Sequence, residues 1–122
     1  MPVRVDHIGL PCRDPEVSAR FLAGLLALPV EPDGRHGEHR RVLLDGGVFV
    51  VFQATPKIAP SHIAFAVEPD VFTALVAGLR AGGIAFGNDP DATSNGESHD
   101  RLGGRGRVYF RDPDNHLYEA CC

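Results

Sequence analysis

The feature that most constrains this chain is a phrase that occurs twice. Val5-Asp6-His7-Ile8-Gly9-Leu10 stands near the start and Pro60-Ser61-His62-Ile63-Ala64-Phe65 near the middle. Each copy is followed by a Pro/Asp pair, Asp14-Pro15 and Pro69-Asp70, and then by an amphipathic segment containing Ala-Gly-Leu, at 23–25 and 77–79. Three features in register mark an internal duplication. Two copies are too few to cap a stacked solenoid, so two half-domains sharing one core are the simpler architecture. The reading is one domain over 1–122, with modules at about 1–56 and 57–122.

A chain of 122 residues with 43% hydrophobic content is long enough to bury a single core. Its 12 basic and 16 acidic residues give a net charge of −4, which offers no electrostatic footprint for nucleic acid or an anionic membrane. The one basic run, Arg35 to Arg41, is diluted by Gly37 and Glu38 and reads as a solvated turn. Cys12, Cys121 and Cys122 form no spaced framework, which fits a reducing compartment. The N-terminus lacks the regions of a signal peptide, and no apolar run has the length of a membrane span. The expectation is a cytoplasmic protein without nucleic-acid or membrane partners.

Within the first copy, Val3 to Leu10 reads as a strand buried on both faces, with His7 turned toward an interior or cleft. Asp14 is placed to cap a helix that has Pro15 at its first position, and Val17, Phe21, Leu25 and Leu28 mark its apolar side. That helix is expected to end near Pro29. Glu31 to Glu38 is turn-rich, and Arg41–Leu44 and Val48–Phe52 flank Asp45-Gly46-Gly47 as a hairpin. One further short strand would complete the half. The second copy predicts a strand over Ser61–Val67, a helix from about Asp70 with Phe72, Leu75, Val76 and Leu79 on one face, and a stop at Gly82-Gly83. Short strands follow at Ile84–Phe86, Arg107–Arg111 and His116–Cys121, the last two joined by the turn Asp112-Pro113-Asp114-Asn115. The twenty or so residues from Gly87 to Gly106 read as a functional lid or a disordered connection.

His7 and His62 hold equivalent places in the two copies. Glu119 lies in the final strand between Tyr118 and Ala120, where a buried carboxylate costs several kcal/mol, roughly, unless it is paired or bound to metal. Two imidazoles and a carboxylate suit a divalent first-row ion with open positions. A strand histidine is more often a hydrogen-bonded core residue than a ligand; repetition at matched positions favours the ligand reading.

The duplicated β-α-β-β-β pattern, the two His-Ile phrases and the closing run Arg107-Val108-Tyr109-Phe110-Arg111-Asp112-Pro113-Asp114-Asn115-His116-Leu117-Tyr118-Glu119 resemble the vicinal oxygen chelate superfamily. That superfamily includes glyoxalase I, extradiol dioxygenases, fosfomycin-resistance transferases and bleomycin-binding proteins. The resemblance covers essentially the whole chain and implies an α+β fold of two tandem βαβββ modules whose curved, mixed sheets form a cup. It also implies His7, His62 and Glu119 as ligands of a divalent metal ion (Fe2+, Mn2+, Zn2+ or Ni2+). Relatives of this length commonly form homodimers in which one subunit supplies the first histidine and its mate the other two ligands, and the same is expected here.

The resemblance further implies a small-molecule substrate chelated through two vicinal oxygens. Glyoxalase I relatives have a fourth ligand late in the first module, where this chain has Phe49-Val50-Val51-Phe52-Gln53 and no carboxylate; Gln53 is at most a weak ligand. Tyr109 matches a pocket tyrosine of extradiol dioxygenases and fosfomycin transferases. His99, Val108, Tyr109, Asp112, Pro113 and Glu119 approximate the ring-cleavage signature, with Asn115 in place of its usual Gly. On that pattern Tyr109 and His99 are the catalytic candidates, with His36 or His39 standing in for a further pocket histidine. Ring-cleaving relatives generally have four modules where this chain has two. Gln53, Arg107 and Cys121 are candidates for substrate contact, Arg105 flanks the loop, and His116 reads as structural. The leading reading is an extradiol-dioxygenase-like enzyme or a related lyase. The alternative is an antibiotic or metabolite binding or resistance protein. Bleomycin binders typically lack the three ligands kept here, and the loop lysine and basic extension of fosfomycin transferases are not evident.

Overall fold

The computed structural model describes residues 2–34 and 37–122, so Arg35 and His36 lie outside the described residues. The elements run β1 (His7–Cys12), α1 (Pro15–Leu26), β2 (Val30–Pro32), β3 (Arg40–Leu43), β4 (Phe49–Ala54), β5 (His62–Ala66), α2 (Pro69–Ala81), β6 (Phe86–Gly87), β7 (Arg107–Arg111) and β8 (Leu117–Cys121). Among the described residues this is an α+β fold with two four-stranded mixed sheets, ordered β1-β4-β3-β2 and β5-β8-β7-β6. Neither sheet closes into a barrel. The chain divides into two compact units, Met1–Ala59 and Pro60–Cys122. Each unit repeats the same topology: its first strand runs parallel to its last, and the intervening pairs are antiparallel.

In the first unit Asp14 caps α1, its carboxylate accepting from the Glu16 and Val17 amides, with Pro15 in the first turn where its missing N–H costs nothing. The helix buries Pro15, Ser18, Ala19, Leu22, Ala23 and Leu26 and packs on β3 and β4. This corrects the predicted face: Val17 is exposed and Phe21 and Leu25 only half-buried, because Ser18, Ala19 and Ala23 bring the helix backbone close to the sheet. The helix also ends at Leu26 rather than near Pro29, with Ala27 in the left-handed region at φ 55°. The hairpin around Asp45–Gly47 forms as expected, with β3 and β4 antiparallel across a 3-10 turn.

Two further expectations are corrected. The first strand starts at His7, not Val3, because among the described residues β1 pairs with β4 alone, and β4 begins at Phe49 opposite His7. Val3 and Val5, upstream of that pairing, are exposed, and β1 buries only Leu10 and Cys12. Part of the turn-rich stretch after Pro29 is the extra strand, β2, paired with β3.

The second unit follows its pattern more closely. Phe72, Leu75, Val76 and Leu79 are the buried face of α2, and Gly82 caps its end. The sheet contributes Phe86, Val108, Phe110, Tyr118 and Ala120 to the core. The short strand shifts to Phe86–Gly87, and β8 begins at Leu117, leaving His116 fully buried where its Nδ1 accepts from the Ser61 amide at 2.9 Å. Asp112 closes the β7–β8 turn by accepting from the amides of Asp114 and His116 and from the Tyr118 hydroxyl, all at 2.9 Å.

Gly87–Gly106 is a succession of turns tied together by side-chain hydrogen bonds. Buried Asn88 donates to the His99 carbonyl at 3.0 Å and accepts from Asn95 at 2.9 Å. Asp100 accepts from the Leu102 and Gly104 amides at 2.9 and 3.0 Å. Among the described residues no helix is long and apolar enough to cross a membrane.

Candidate functional site

Strand register sorts the second sheet into two faces, since residues paired across strands share a side. Ile63, Phe65, Val108, Phe110, Tyr118 and Ala120 make the core face. The opposite face carries His62, Ala64 and Ala66 from β5, Arg107 and Tyr109 from β7, and Glu119 and Cys121 from β8. The small side chains Ala64 and Ala66 leave this face open, and both are exposed.

On that face His62 Nε2 donates to Glu119 Oε1 at 3.0 Å. The imidazole is half exposed, while the Glu119 side chain is 10% exposed. Arg107 Nη1 donates to the other carboxylate oxygen, Oε2. Arg107 Nε in turn donates to Asp100 Oδ1 at 2.9 Å. The buried carboxylate therefore has a charged partner on Oε2, which leaves Oε1 as the oxygen turned to His62. The hydrogen bond to Asp100 above all, with Glu119 behind it, raises the Arg107 pKa against the opposing effect of burial. The same Arg107 bond, followed by the Leu102 amide, holds the Asp100 carboxyl below its ordinary range.

Tyr109 pairs directly with Glu119 across β7 and β8, and its ring lies 6.3 Å from that of His62. Burial first, and the Glu119 charge second, push its phenol pKa up, so at neutral pH it is a neutral donor. Five of the predicted site residues, His62, Arg107, Tyr109, Glu119 and Cys121, thus share one face. Arg107 was expected as a substrate contact at the end of the loop; it is the first residue of β7, with its guanidinium engaged by Asp100 and Glu119. Asp100 was missed by sequence reasoning. Its only signal was its place in an Asp-rich loop, which does not distinguish it from Asp89 or Asp91.

The chemistry of the donor pair fits a metal. An imidazole nitrogen and a carboxylate oxygen side by side on an open face are a donor set that would suit a divalent first-row ion. Binding would release the Nε2 proton. Among the described residues no three His, Cys, Asp or Glu side chains converge at ligand distance.

The corresponding face of the first sheet carries His7, Gly9, Arg41, Phe49, Val51 and Gln53. His7 is half exposed, its Nδ1 donating to Asp6 Oδ2 at 2.7 Å, which makes Nε2 the lone-pair nitrogen. Its ring stacks on Phe49 at 5.0 Å and 5°, and the Arg41 guanidinium lies 4.2 Å from the centre of the same ring. Arg41 is anchored by buried Asp33 at 2.7 Å. Register places Val51 opposite Gly9 as Glu119 stands opposite Ala64, so the counterpart of Glu119 in the first sheet is a valine. Gln53 is exposed two residues further on, at the place that Cys121 holds in the second sheet.

His99 is not brought to this group. Its side chain is 67% exposed and its described contacts are with Asn88 and Glu97 inside the loop. His39 sits beside Asp33 and Glu38, each at 4.0 Å, and His36 is outside the described residues.

The glyoxalase-like domain family matches residues 5–121 of the chain. Comparison with curated proteins gives no match. Among solved structures, Oxidase ChaP-H2 is 34% identical with a TM-score of 0.88, over 98% of this chain and 93% of that one. A glyoxalase/dioxygenase from Nostoc punctiforme is 23% identical with a TM-score of 0.74, over 98% and 90%. The fosfomycin resistance protein FosX from Listeria monocytogenes, complexed with Mn(II) and sulfate, is 20% identical with a TM-score of 0.70, over 100% and 91%. The last two bear on fold alone. The chain belongs to the glyoxalase-like domain family, within the vicinal oxygen chelate superfamily.

Proposed function

We propose that the chain is a metal-dependent enzyme that holds a small molecule through two adjacent oxygen atoms and carries out an extradiol-dioxygenase-like or related oxidative or lyase reaction. The observation that carries this reading is the pair of His62 Nε2 and Glu119 Oε1, 3.0 Å apart on the open face of the second sheet. His62 and Glu119 are two ligands in this reading, and His7 of a second copy of the chain is the third. The relative named an oxidase, at 34% identity, supports the oxidative branch over the fosfomycin-type alternative.

When bound, the divalent ion supplies Lewis acidity and open positions for substrate oxygens. The chain's own residues prepare that chemistry. Arg107 pairs with Glu119 and fixes which oxygen faces His62. Asp6 sets the His7 tautomer, and stacking on Phe49 holds the ring plane. Tyr109, kept neutral by burial beside Glu119, donates a hydrogen bond to a substrate oxygen as negative charge develops there. Cys121 and Gln53 line the two open faces and contact the rest of the substrate.

Elemental analysis of protein purified without oxygen and without added metal tests the reading. The expected result is a divalent ion in stoichiometric amount, lost in His62→Ala; iron supports the dioxygenase branch, and manganese, zinc or nickel the lyase branch. Equal metal content in the parent and His62→Ala proteins would overturn the assignment.

A further inference from the structure

We infer that Asp100, in the long segment between β6 and β7, is a positioning residue for Glu119, acting through Arg107, which makes that segment part of the metal centre. The inference rests on the reading of Glu119 as a ligand. Three side chains form one continuous line. Asp100 Oδ1 accepts from Arg107 Nε at 2.9 Å, Asp100 Oδ2 accepts from Nη2 at 3.4 Å, and Nη1 of the same guanidinium reaches Glu119 Oε2. All three are well buried: the side chains of Asp100, Arg107 and Glu119 are 3%, 16% and 10% exposed.

Geometry and charge act in the same direction. A guanidinium is planar, so seating Nε and Nη2 on Asp100 fixes where Nη1 points, and that in turn fixes the rotation of the Glu119 carboxylate. With Oε2 committed, Glu119 can offer only Oε1 to an ion. A lone arginine beside a ligand would also repel a dication, and the Asp100 carboxylate cancels that charge. Partners behind the ligands of a metal site commonly alter metal affinity about 10–100-fold when removed.

The segment is built to hold Asp100 there. Its carboxylate also accepts from the Leu102 and Gly104 amides, and the backbone is tied on both sides by Arg107 N to Ser98 O at 3.0 Å and Cys122 N to Gly106 O at 3.0 Å. Gly104 is required at its place. A Cβ there would collide with Asp100 Oδ2 and stand 2.8 Å from the Cys122 carbonyl oxygen.

The test is Mn(II) titration of the full chain, followed by the electron paramagnetic resonance signal of the free ion, alongside the melting temperature of each metal-free protein. Asp100→Asn is expected to weaken Mn(II) binding about tenfold, and Gly104→Ala, which touches no ligand, to weaken it in the same direction. In an Arg107→Gln background, adding Asp100→Asn is expected to change affinity less than about twofold, because the connection is already cut. If Asp100→Asn and Gly104→Ala bind Mn(II) like the parent while His62→Ala does not, the metal reading stands and this inference falls. An undiminished Asp100→Asn effect without Arg107 overturns it too, and a parent that binds no Mn(II) overturns both.

Discussion

Glu119→Gln separates the structural role of this carboxylate from its role toward a metal. The side chain is 10% exposed and accepts from a guanidinium on one oxygen and an imidazole on the other. A hydrogen bond to a charged group contributes about 1.5–3 kcal/mol. The amide keeps one acceptor and loses the charge, while Arg107 retains Asp100, so the metal-free protein is expected to lose about 1–2 kcal/mol. For a domain of this size that is a fall in Tm of about 4–8 °C. Mn(II) at a hundred times its Kd stabilises the parent by about 2.7 kcal/mol, whereas a variant bound a hundredfold more weakly gains about 0.4 kcal/mol. Differential scanning calorimetry with and without Mn(II) reads both effects in one series. If Mn(II) raises the Tm of Glu119→Gln as much as that of the parent, Glu119 is not a ligand. If the metal-free Tm values coincide, the ion-pair accounting is wrong as well.

Tyr109→Phe is expected to lower kcat about 100-fold on the protein's substrate, the effect of losing one preorganised donor, while Mn(II) affinity falls no more than about tenfold, the lower end for losing a partner behind a ligand, since the phenol also bonds to Glu119; a loss of affinity of about 100-fold would move Tyr109 to a structural role. Gly106→Ala places a Cβ against the Phe72 ring, with Cζ and Cδ2 at 2.6 and 2.9 Å, and the forced shift of α2 or β7 is expected to cost about 1–3 kcal/mol in urea unfolding. Glu16, hydrogen-bonded to Arg20 and then Arg40, has its carboxyl held below its ordinary range. Its folded pKa is therefore below its unfolded one, and its contribution is full above about pH 4.3 and disappears as pH falls through the folded value. Melting curves of the parent and Glu16→Gln should differ at pH 7 and converge in acid; a constant offset across that range would refute the pairing.

What the sequence made legible was periodic or repeated. The α2 face of Phe72, Leu75, Val76 and Leu79 is apolar at helical spacing, and the structure buries those same four residues. The α1 face was misread because two apolar series at helical spacing compete: Ala19, Leu22, Ala23 and Leu26, which the structure buries, and the bulkier Val17, Phe21 and Leu25, which it leaves exposed or half-buried. The start of β1 was misread for a different reason. Val3 and Val5 alternate as a strand should, yet strand length is set by the partner, and β4 begins at Phe49. Glu119 was legible as a carboxylate in an apolar strand that needs a partner, and Arg107 is that partner, a cross-strand diagonal that only register reveals. Asp100 was not legible at all, since its role depends on how some ten residues of turns return it to β7.

The register also shows where the two duplicated units differ at matched positions. Each open face keeps its histidine at the first residue of the first strand, His7 or His62. At the next matched positions the halves part: Glu119 is answered by Val51 and Tyr109 by Arg41. These differences are coupled. In the second unit the strand next to the carboxylate supplies a guanidinium one pair away at Arg107 and a neutral phenol directly opposite at Tyr109. In the first unit Arg41 stands opposite an apolar residue, and without a carboxylate on its own face it has been satisfied elsewhere, by Asp33 at 2.7 Å and the Phe49 ring at 4.2 Å. Restoring a carboxylate with Val51→Glu would therefore not recreate the second half. The new side chain would enter a site that is 5% exposed, and its nearest cation, Arg41, is already held by Asp33. One strand pair with one committed arginine explains why the open face of the first unit has no counterpart of the Glu119–Arg107 pair.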